Sequence, residues 1–206
     1  MADAPGDRTD RTDLADLVEL VSARSAEYAD LAAYVAGAGV VAEVAVVAQL
    51  FVAVYRAGGQ VLAFGNGGSA AEASHLAAEF VGRCTRDRGP LPALALGDSP
   101  ATVTAVANDY GYEQVFARQI QAYGRPGDLA VAFTTSGRSP NVLAGLSAAR
   151  DRGLRSVAFT GSDGPRLAGA ADHVLSVPSA HTGRVQEVHQ LWSHLCAEAV
   201  EQTLFT

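Results

Sequence analysis

The sequence predicts an α/β fold, a doubly wound parallel five-stranded sheet with helices on both faces and a helical pair ahead of it. Three observations carry that expectation. Five short apolar runs, 61–64, 94–96, 129–133, 156–160 and 173–177, are bounded by Gly, Asp or Pro. Segments of helical character lie between them, near 69–82, 99–108, 112–122, 140–152 and 165–170, and a long last helix covers 182–203. Strands and helices that alternate in this way build a parallel sheet. Two further helical stretches precede the first run.

Residues 1–11 are polar and read as a flexible tail. From Asp13 a helix begins, with Leu14, Leu17, Val18 and Val21 at i, i+3, i+4 and i+7, one apolar stripe. Leu31, Tyr34 and Val35 continue that face, and Gly37 and Gly39 punctuate it. The next helix, 39–57, is apolar nearly all round and needs burial on more than one side. A helix packed between subunits is the natural reading. Glu43 and Gln49 interrupt it, and its most apolar run, 40–55, falls short of the ~20 residues that a bilayer requires. It is therefore expected to be buried in protein, with no membrane partner. Gly58-Gly59 ends it. After the tail, 12–206 forms a single domain that includes the helices of 12–57.

Composition narrows the function. Apolar residues make up 49% of the 206, enough for a large core and a buried subunit interface. The net charge is −7 and no basic stripe appears, which argues against a nucleic-acid partner. All fifteen basic residues are Arg. A chain without lysine has no Schiff-base lysine, no lysine-anchored pyridoxal group and no P-loop lysine. Cys84 and Cys196 stand alone and are expected to be unbridged. No signal peptide is visible, so a cytoplasmic location is expected.

In a parallel α/β sheet ligands sit beyond the C-terminal strand ends. The first such loop is Gly65-Asn66-Gly67-Gly68-Ser69, a tight turn leading into a helix start that favours anions. Position 70 is Ala, so the dinucleotide pattern is incomplete, and a plain strand-to-helix turn has the same look. The third strand is followed by Thr134-Thr135-Ser136-Gly137-Arg138-Ser139-Pro140, four hydroxyls around a glycine. Ser139 is a ready N-cap and Pro140 suits the first helical position. Hydroxyls and free N–H groups at a helix start can cradle phosphate without lysine. Gly161-Ser162-Asp163-Gly164 reads as a turn, and Asn108-Asp109 as ordinary helix-end residues.

His75 and Glu79 stand one helical turn apart, where both could touch a metal or a substrate. An ordinary surface His–Glu pair has the same spacing. On the last helix Gln186 and His194 are eight residues apart, about 80° out of line. Spacing alone would rather pair Glu187 with His194.

Taken together, GNGGS, a helix with H-x-x-x-E, ND, TTSGRS and RVQEVH with a His eight after the Gln resemble the sugar isomerase (SIS) domain, and within it bacterial phosphoheptose isomerases. The resemblance runs from about residue 40 to the end, in order and with matching spacing, and the N-terminal helical pair fits it. It implies a flavodoxin-like sheet and conversion of D-sedoheptulose 7-phosphate to D-glycero-D-manno-heptose 7-phosphate. Thr134, Thr135, Ser136 and Ser139 would hold the phosphate. Asn66, Gly67, Gly68, Ser69, Asn108, Asp109 and Gln186 would line the sugar site. Glu79 and His194 would be the acid/base pair, and His75, Glu79, Gln186 and His194 the ligands of one Zn2+ per subunit. A homotetramer with active sites between subunits is implied too. Thr134 replaces a Ser frequent in the family. Arg138 stands in place of a small polar residue and could add a charge contact. Gly183 stands where some members carry Asp.

A carboxylate suits the proton that must move between two carbons, and an imidazole suits the oxygens. Zinc would polarise the carbonyl or order the site. Two other readings of the same motifs are a non-catalytic SIS-domain sugar-phosphate-binding protein that associates with a replication initiator, and an isomerase of another phosphosugar. Retention of both Glu79 and His194 favours catalysis.

Overall fold

The computed structural model describes residues 13–205. The expected tail at 1–11 lies outside the described residues. Two helices open the chain, α1 (Leu14–Val35) and α2 (Ala38–Arg56). Then come β1 (Val61–Gly65), α3 (Gly68–Val81), β2 (Ala93–Ala95), α4 (Pro100–Tyr110), α5 (Val115–Tyr123), β3 (Leu129–Thr134), α6 (Pro140–Asp151), β4 (Arg155–Thr160), β5 (His173–Ser176) and α7 (Thr182–Leu204). All strands are parallel, in the order β2-β1-β3-β4-β5. The order reverses between β1 and β3, the switch point at which such sheets open a crevice for ligands.

The central strands β1, β3 and β4 are buried on both sides, so they read as apolar runs rather than alternating ones. Their side chains still divide by parity. Val61 and Ala63 of β1, Val131 and Phe133 of β3, and Val157 and Phe159 of β4 face the layer that holds Phe51, Leu76, Phe80 and Trp192. Leu62, Phe64, Ala130, Ala132 and Ala158 face the other layer, with Phe116, Ile120 and Leu146. Gly145 lets α6 close on the second layer, since a Cβ there would stand 2.8 Å from the Phe64 ring.

Three expected elements differ in the structure. The helix at 99–108 runs on to Tyr110, which places Asn108 and Asp109 inside its last turn, with Gly111 ending it at φ +88°. The helix at 112–122 starts as a 3-10 turn, Tyr112–Gln114, before α5. The helix at 165–170 is only a 3-10 turn, Gly164–Leu167, because Gly169 takes φ +80°.

The helical pair divides its burial unevenly. Tyr34 of α1 donates to the Ser176 carbonyl at 3.0 Å and Leu31 is buried, but Leu14, Leu17, Val18 and Val21 stand exposed. One face of α2, with Val44, Val47, Phe51 and Tyr55, packs into the core against α7, while Val41 and Val46 face outward. This 19-residue helix is long and apolar enough to cross a membrane by composition, yet its inner face is part of the domain core.

At the far end of α7 a fully buried carboxylate gathers the loop that follows α3. Glu201 accepts from the backbone N–H groups of Cys84, Thr85 and Arg86 at 2.8, 2.8 and 2.9 Å and from the Thr85 hydroxyl at 2.9 Å. Arg88, also buried, donates through Nε to Glu201 at 3.1 Å and through its Nη atoms to the carbonyls of Glu79 and Phe80, both at 2.7 Å. It thereby satisfies carbonyls that the end of α3 leaves without partners. Burial alone would raise the Glu201 pKa. The N–H groups of Thr85, Cys84 and Arg86 and the Thr85 hydroxyl outweigh it and hold the carboxyl at about 2, below its ordinary 4.5.

A carboxylate with a lowered pKa contributes stability above its unfolded value and loses it as pH falls through the folded one. Stability measured by urea unfolding should therefore drop as pH falls from about 4.5 towards 2. Glu201→Gln should flatten that dependence. Glu201→Ala strands Arg88 in the interior and should cost about 3–5 kcal/mol at neutral pH.

Candidate active site

The switch point fixes the first wall of the site. A Cβ on Gly65 would stand 2.7 Å from both the Phe133 carbonyl and the Ser69 Cβ, so α3 starts hard against the sheet and Ser69 is buried there. Gly67 turns the chain at φ +58°. The Gln186 side-chain amide occupies the place that a Cβ on Gly68 would take. That contact presses the start of α7 against the start of α3.

Further along, the two helices bring the titratable residues together. Nε2 of His75 lies 2.8 Å from Nε2 of His194 and 3.2 Å from Oε1 of Glu79. His75 is partly exposed and Glu79 largely covered. Gln190, one turn before His194, holds its Nε2 at 3.1 Å. Ligand atoms of His75, Glu79 and His194 all lie within 4.8 Å of one another. Two imidazoles and one carboxylate form a donor set that suits Zn2+, so these residues fit the metal that the sequence implies. The Gln186 side chain stands at Gly68, two turns back along α7. It lines, with Gly68, Glu72, His75, Gly183 and Gln190, a cleft of about 660 Å³.

The second wall follows β3. Thr134 is buried, and its hydroxyl accepts from the Gly137 N–H at 3.2 Å. Gly137 takes φ +63°, and the Ser136 hydroxyl accepts from the Arg138 N–H at 3.3 Å. The Thr135 carbonyl accepts from the Gly161 N–H at 3.2 Å, tying this loop to the one after β4. Ser139 occupies the N-cap position of α6, but its hydroxyl makes no capping bond, against expectation. Asn141 accepts instead, taking the Val142 N–H on Oδ1 at 3.0 Å. The Ser139 hydroxyl is thus left for other work. Arg138 is turned away into an ion pair, its Nε 2.9 Å from the Asp163 carboxylate.

Asn66 is held rather than free. It exchanges side-chain bonds with buried Asn141 at 2.9 and 2.8 Å and accepts from the Tyr112 hydroxyl at 3.0 Å. With Ser139 these three border a smaller cleft of about 280 Å³. Asn108 and Asp109 lie exposed on the last turn of α4, bonded to each other at 2.7 Å, and line neither cleft. Sequence reasoning passed over Asn141, Tyr112, Gln190 and Glu72. The one local signal among them is Asn141, a polar residue just inside a helix whose neighbouring positions are otherwise explained. The two cysteines are free. Burial first, then Glu79 and its acidic neighbours, push the Cys84 thiol up to about 12, which keeps it protonated.

Comparison with known proteins agrees with the fold. The SIS domain family matches residues 38–161. A phosphoheptose isomerase of Roseiflexus sp. is 51% identical over 159 residues, 77% of this chain and 81% of the relative. That of Paramagnetospirillum magneticum is 55% identical over 145 residues, 70% and 76% of the two chains. The structure of a phosphoheptose isomerase from Neisseria gonorrhoeae superposes with a TM-score of 0.85 at 37% identity, covering 91% of this chain and all of the other. One from Francisella tularensis gives 0.86 at 33% identity, covering 90% and 98%. The chain belongs to the SIS-domain phosphoheptose isomerase family.

The idle hydroxyl of Ser139 has a measurable consequence. A capping Ser replaced by Ala costs about 1 kcal/mol. Ser99 does cap α4, accepting from the Thr102 N–H at 3.3 Å. Ser99→Ala should show that loss in chemical denaturation, whereas Ser139→Ala should stay within about 0.5 kcal/mol of the parent.

Proposed function

We propose that this chain, as a member of that family, is an aldose–ketose isomerase that converts D-sedoheptulose 7-phosphate to D-glycero-D-manno-heptose 7-phosphate. The observation that carries the reading is the meeting of His75, Glu79 and His194 between α3 and α7. A carboxylate and an imidazole side by side can move one proton between carbons and another between oxygens. Glu79 takes a proton from C1 of the open-chain ketose, leaving an enediol(ate), and returns it to C2. His194 takes the O1 proton and supplies one to O2, so the ketose carbonyl at C2 becomes a hydroxyl and C1 becomes the aldehyde. Gln190 orients the His194 ring.

Thr134, Thr135, Ser136 and Ser139 hold the phosphate at the start of α6, where N–H groups and the helix dipole favour an anion. The free Ser139 hydroxyl supports this assignment. Asn66, Gly67, Gly68, Ser69 and Gln186 form the sugar side; Asn108 and Asp109, which line neither cleft in the single chain, are assigned to it on the family resemblance alone. His75, Glu79 and His194, with Gln186 as the fourth ligand that the resemblance implies, would hold Zn2+, which when bound would supply a Lewis acid for the carbonyl.

The assembly we propose is a homotetramer with active sites between subunits. The outward apolar residues Leu14, Val18 and Val21 of α1 and Val41 and Val46 of α2 are the surfaces such an assembly would cover. A cytoplasmic enzyme of carbohydrate metabolism fits these features.

Incubation with sedoheptulose 7-phosphate, followed by NMR, should show the aldose accumulate. Persistence of the ketose alone would remove the reading. Glu79→Gln should lower kcat by about a hundredfold or more, the range of a lost general base. Activity near the parent's would reassign the base. Zinc added to metal-free protein should raise Tm, and should fail to do so in a variant carrying both His75→Ala and His194→Ala.

A further inference from the structure

The smaller cleft carries a hydrogen-bonded trio that the proposed chemistry does not explain. Asn66 stands in the loop after β1, Asn141 in the first turn of α6 and Tyr112 in the 3-10 turn after α4. Nδ2 of Asn66 donates to Oδ1 of Asn141 at 2.9 Å, and Nδ2 of Asn141 donates to Oδ1 of Asn66 at 2.8 Å. The Tyr112 hydroxyl donates to the same Asn66 oxygen at 3.0 Å. Asn141 is buried, Asn66 half-buried and Tyr112 exposed. Gly111, at φ +88°, ends α4 and starts the turn that carries Tyr112 to Asn66.

A carboxamide has two lone pairs to fill and two N–H bonds to give. The Val142 N–H reaches Oδ1 of Asn141 at 3.0 Å, so this amide cannot turn over without setting N–H against N–H. Its Nδ2 therefore faces Asn66, and Oδ1 of Asn66 must face back. That oxygen is then full, with Asn141 on one lone pair and Tyr112 on the other. Asn66 has nothing left with which to accept. It keeps one N–H, which has no acceptor among the described residues. Asn66 borders the smaller cleft together with Tyr112 and Ser139, so a ligand there meets a donor.

We propose that Asn141 and Tyr112 are positioning residues that hold the Asn66 carboxamide as a donor-only group, whose free N–H bonds an acceptor oxygen on the carbon chain of the phosphosugar. The inference rests on the isomerase reading above, which puts Asn66 on the sugar side, and adds the two residues that fix its polarity. Asn66 borders a different cleft from the one at His75, so the bond is made away from the reacting carbons. A bond of this kind holds ketose and transition state alike, and its loss raises KM and spares kcat.

The test compares the parent with Tyr112→Phe, Asn141→Leu, Asn66→Ala and a variant carrying both Tyr112→Phe and Asn66→Ala. Each is assayed for turnover of sedoheptulose 7-phosphate and titrated by calorimetry with that sugar and, separately, with inorganic phosphate. Tyr112→Phe removes one hydroxyl from an exposed ring. It should raise KM and weaken sugar binding by about fivefold, the worth of a neutral hydrogen bond, with kcat and phosphate affinity little changed. Asn141→Leu, close to Asn in shape, should raise KM at least as much, and so should Asn66→Ala. The double variant should match Asn66→Ala, because Tyr112 acts only through Asn66. A further fivefold loss in the double variant would overturn the inference by setting Tyr112 on the sugar directly. Unchanged sugar affinity in any single variant would overturn it too, as would a fall in kcat at constant KM, or an equal loss of phosphate affinity in Tyr112→Phe. If Asn141→Leu does not fold, the cycle of Tyr112 and Asn66 decides. If the parent binds the sugar without turning it over, the isomerase reading fails by itself, and the sugar titrations still decide the roles of Tyr112 and Asn141.

Discussion

Glu201 sits at the end of α7 with no access to water and collects three backbone N–H groups, a hydroxyl and the Arg88 guanidinium. Arg88 in turn closes the last carbonyls of α3, including that of Glu79 itself. The candidate site is divided between these same two helices, with His75 and Glu79 on one and His194 on the other. Their reactive atoms meet at 2.8 and 3.2 Å, distances at which a slide of one helix by an ångström would separate them. The clasp at Glu201 fixes the far end of the helix pair, and the Gly68–Gln186 contact fixes the near end. Between two fixed ends the imidazoles and the carboxylate have little freedom to drift, which is the order that catalysis by positioned groups requires.

Much of this could be read from the residues because it is local. Apolar runs closed by Gly, Asp or Pro gave the strands to within a residue or so, since a strand buried on both faces has no polar positions to hide it. The loops of interest follow from the sheet being parallel, which puts Gly65–Ser69 and Thr134–Ser139 together at the switch point. The helix pattern of 182–203 placed His194, and spacing alone favoured Glu187 over Gln186 as its companion. The structure brings Gln190 to it instead, because i and i+4 share a face.

The rest was illegible for a common reason. Glu201 and Arg88 are 113 positions apart, and Glu72 and His189 are similarly remote along the chain. A buried carboxylate in a helix has the same local sequence signature as an exposed one; only its partner across the fold tells them apart. Ser139 shows the converse. Its sequence position is that of a cap, yet the neighbouring Asn141 makes the capping bond and binds Asn66 as well. One amide linking the loop after β1 to the helix after β3 has no counterpart in any pattern of single-element propensity.

The crowding at Gly68 carries a consequence for how the chain can change over generations. The Gln186 amide fills the volume where any larger residue at 68 would begin. A side chain at 68 would push that amide, the mobile end of a flexible residue, into another rotamer. The helix can stay where it is, but the amide leaves the wall of the cleft. The two positions, far apart in the gene, are therefore expected to drift as one character of the cleft wall.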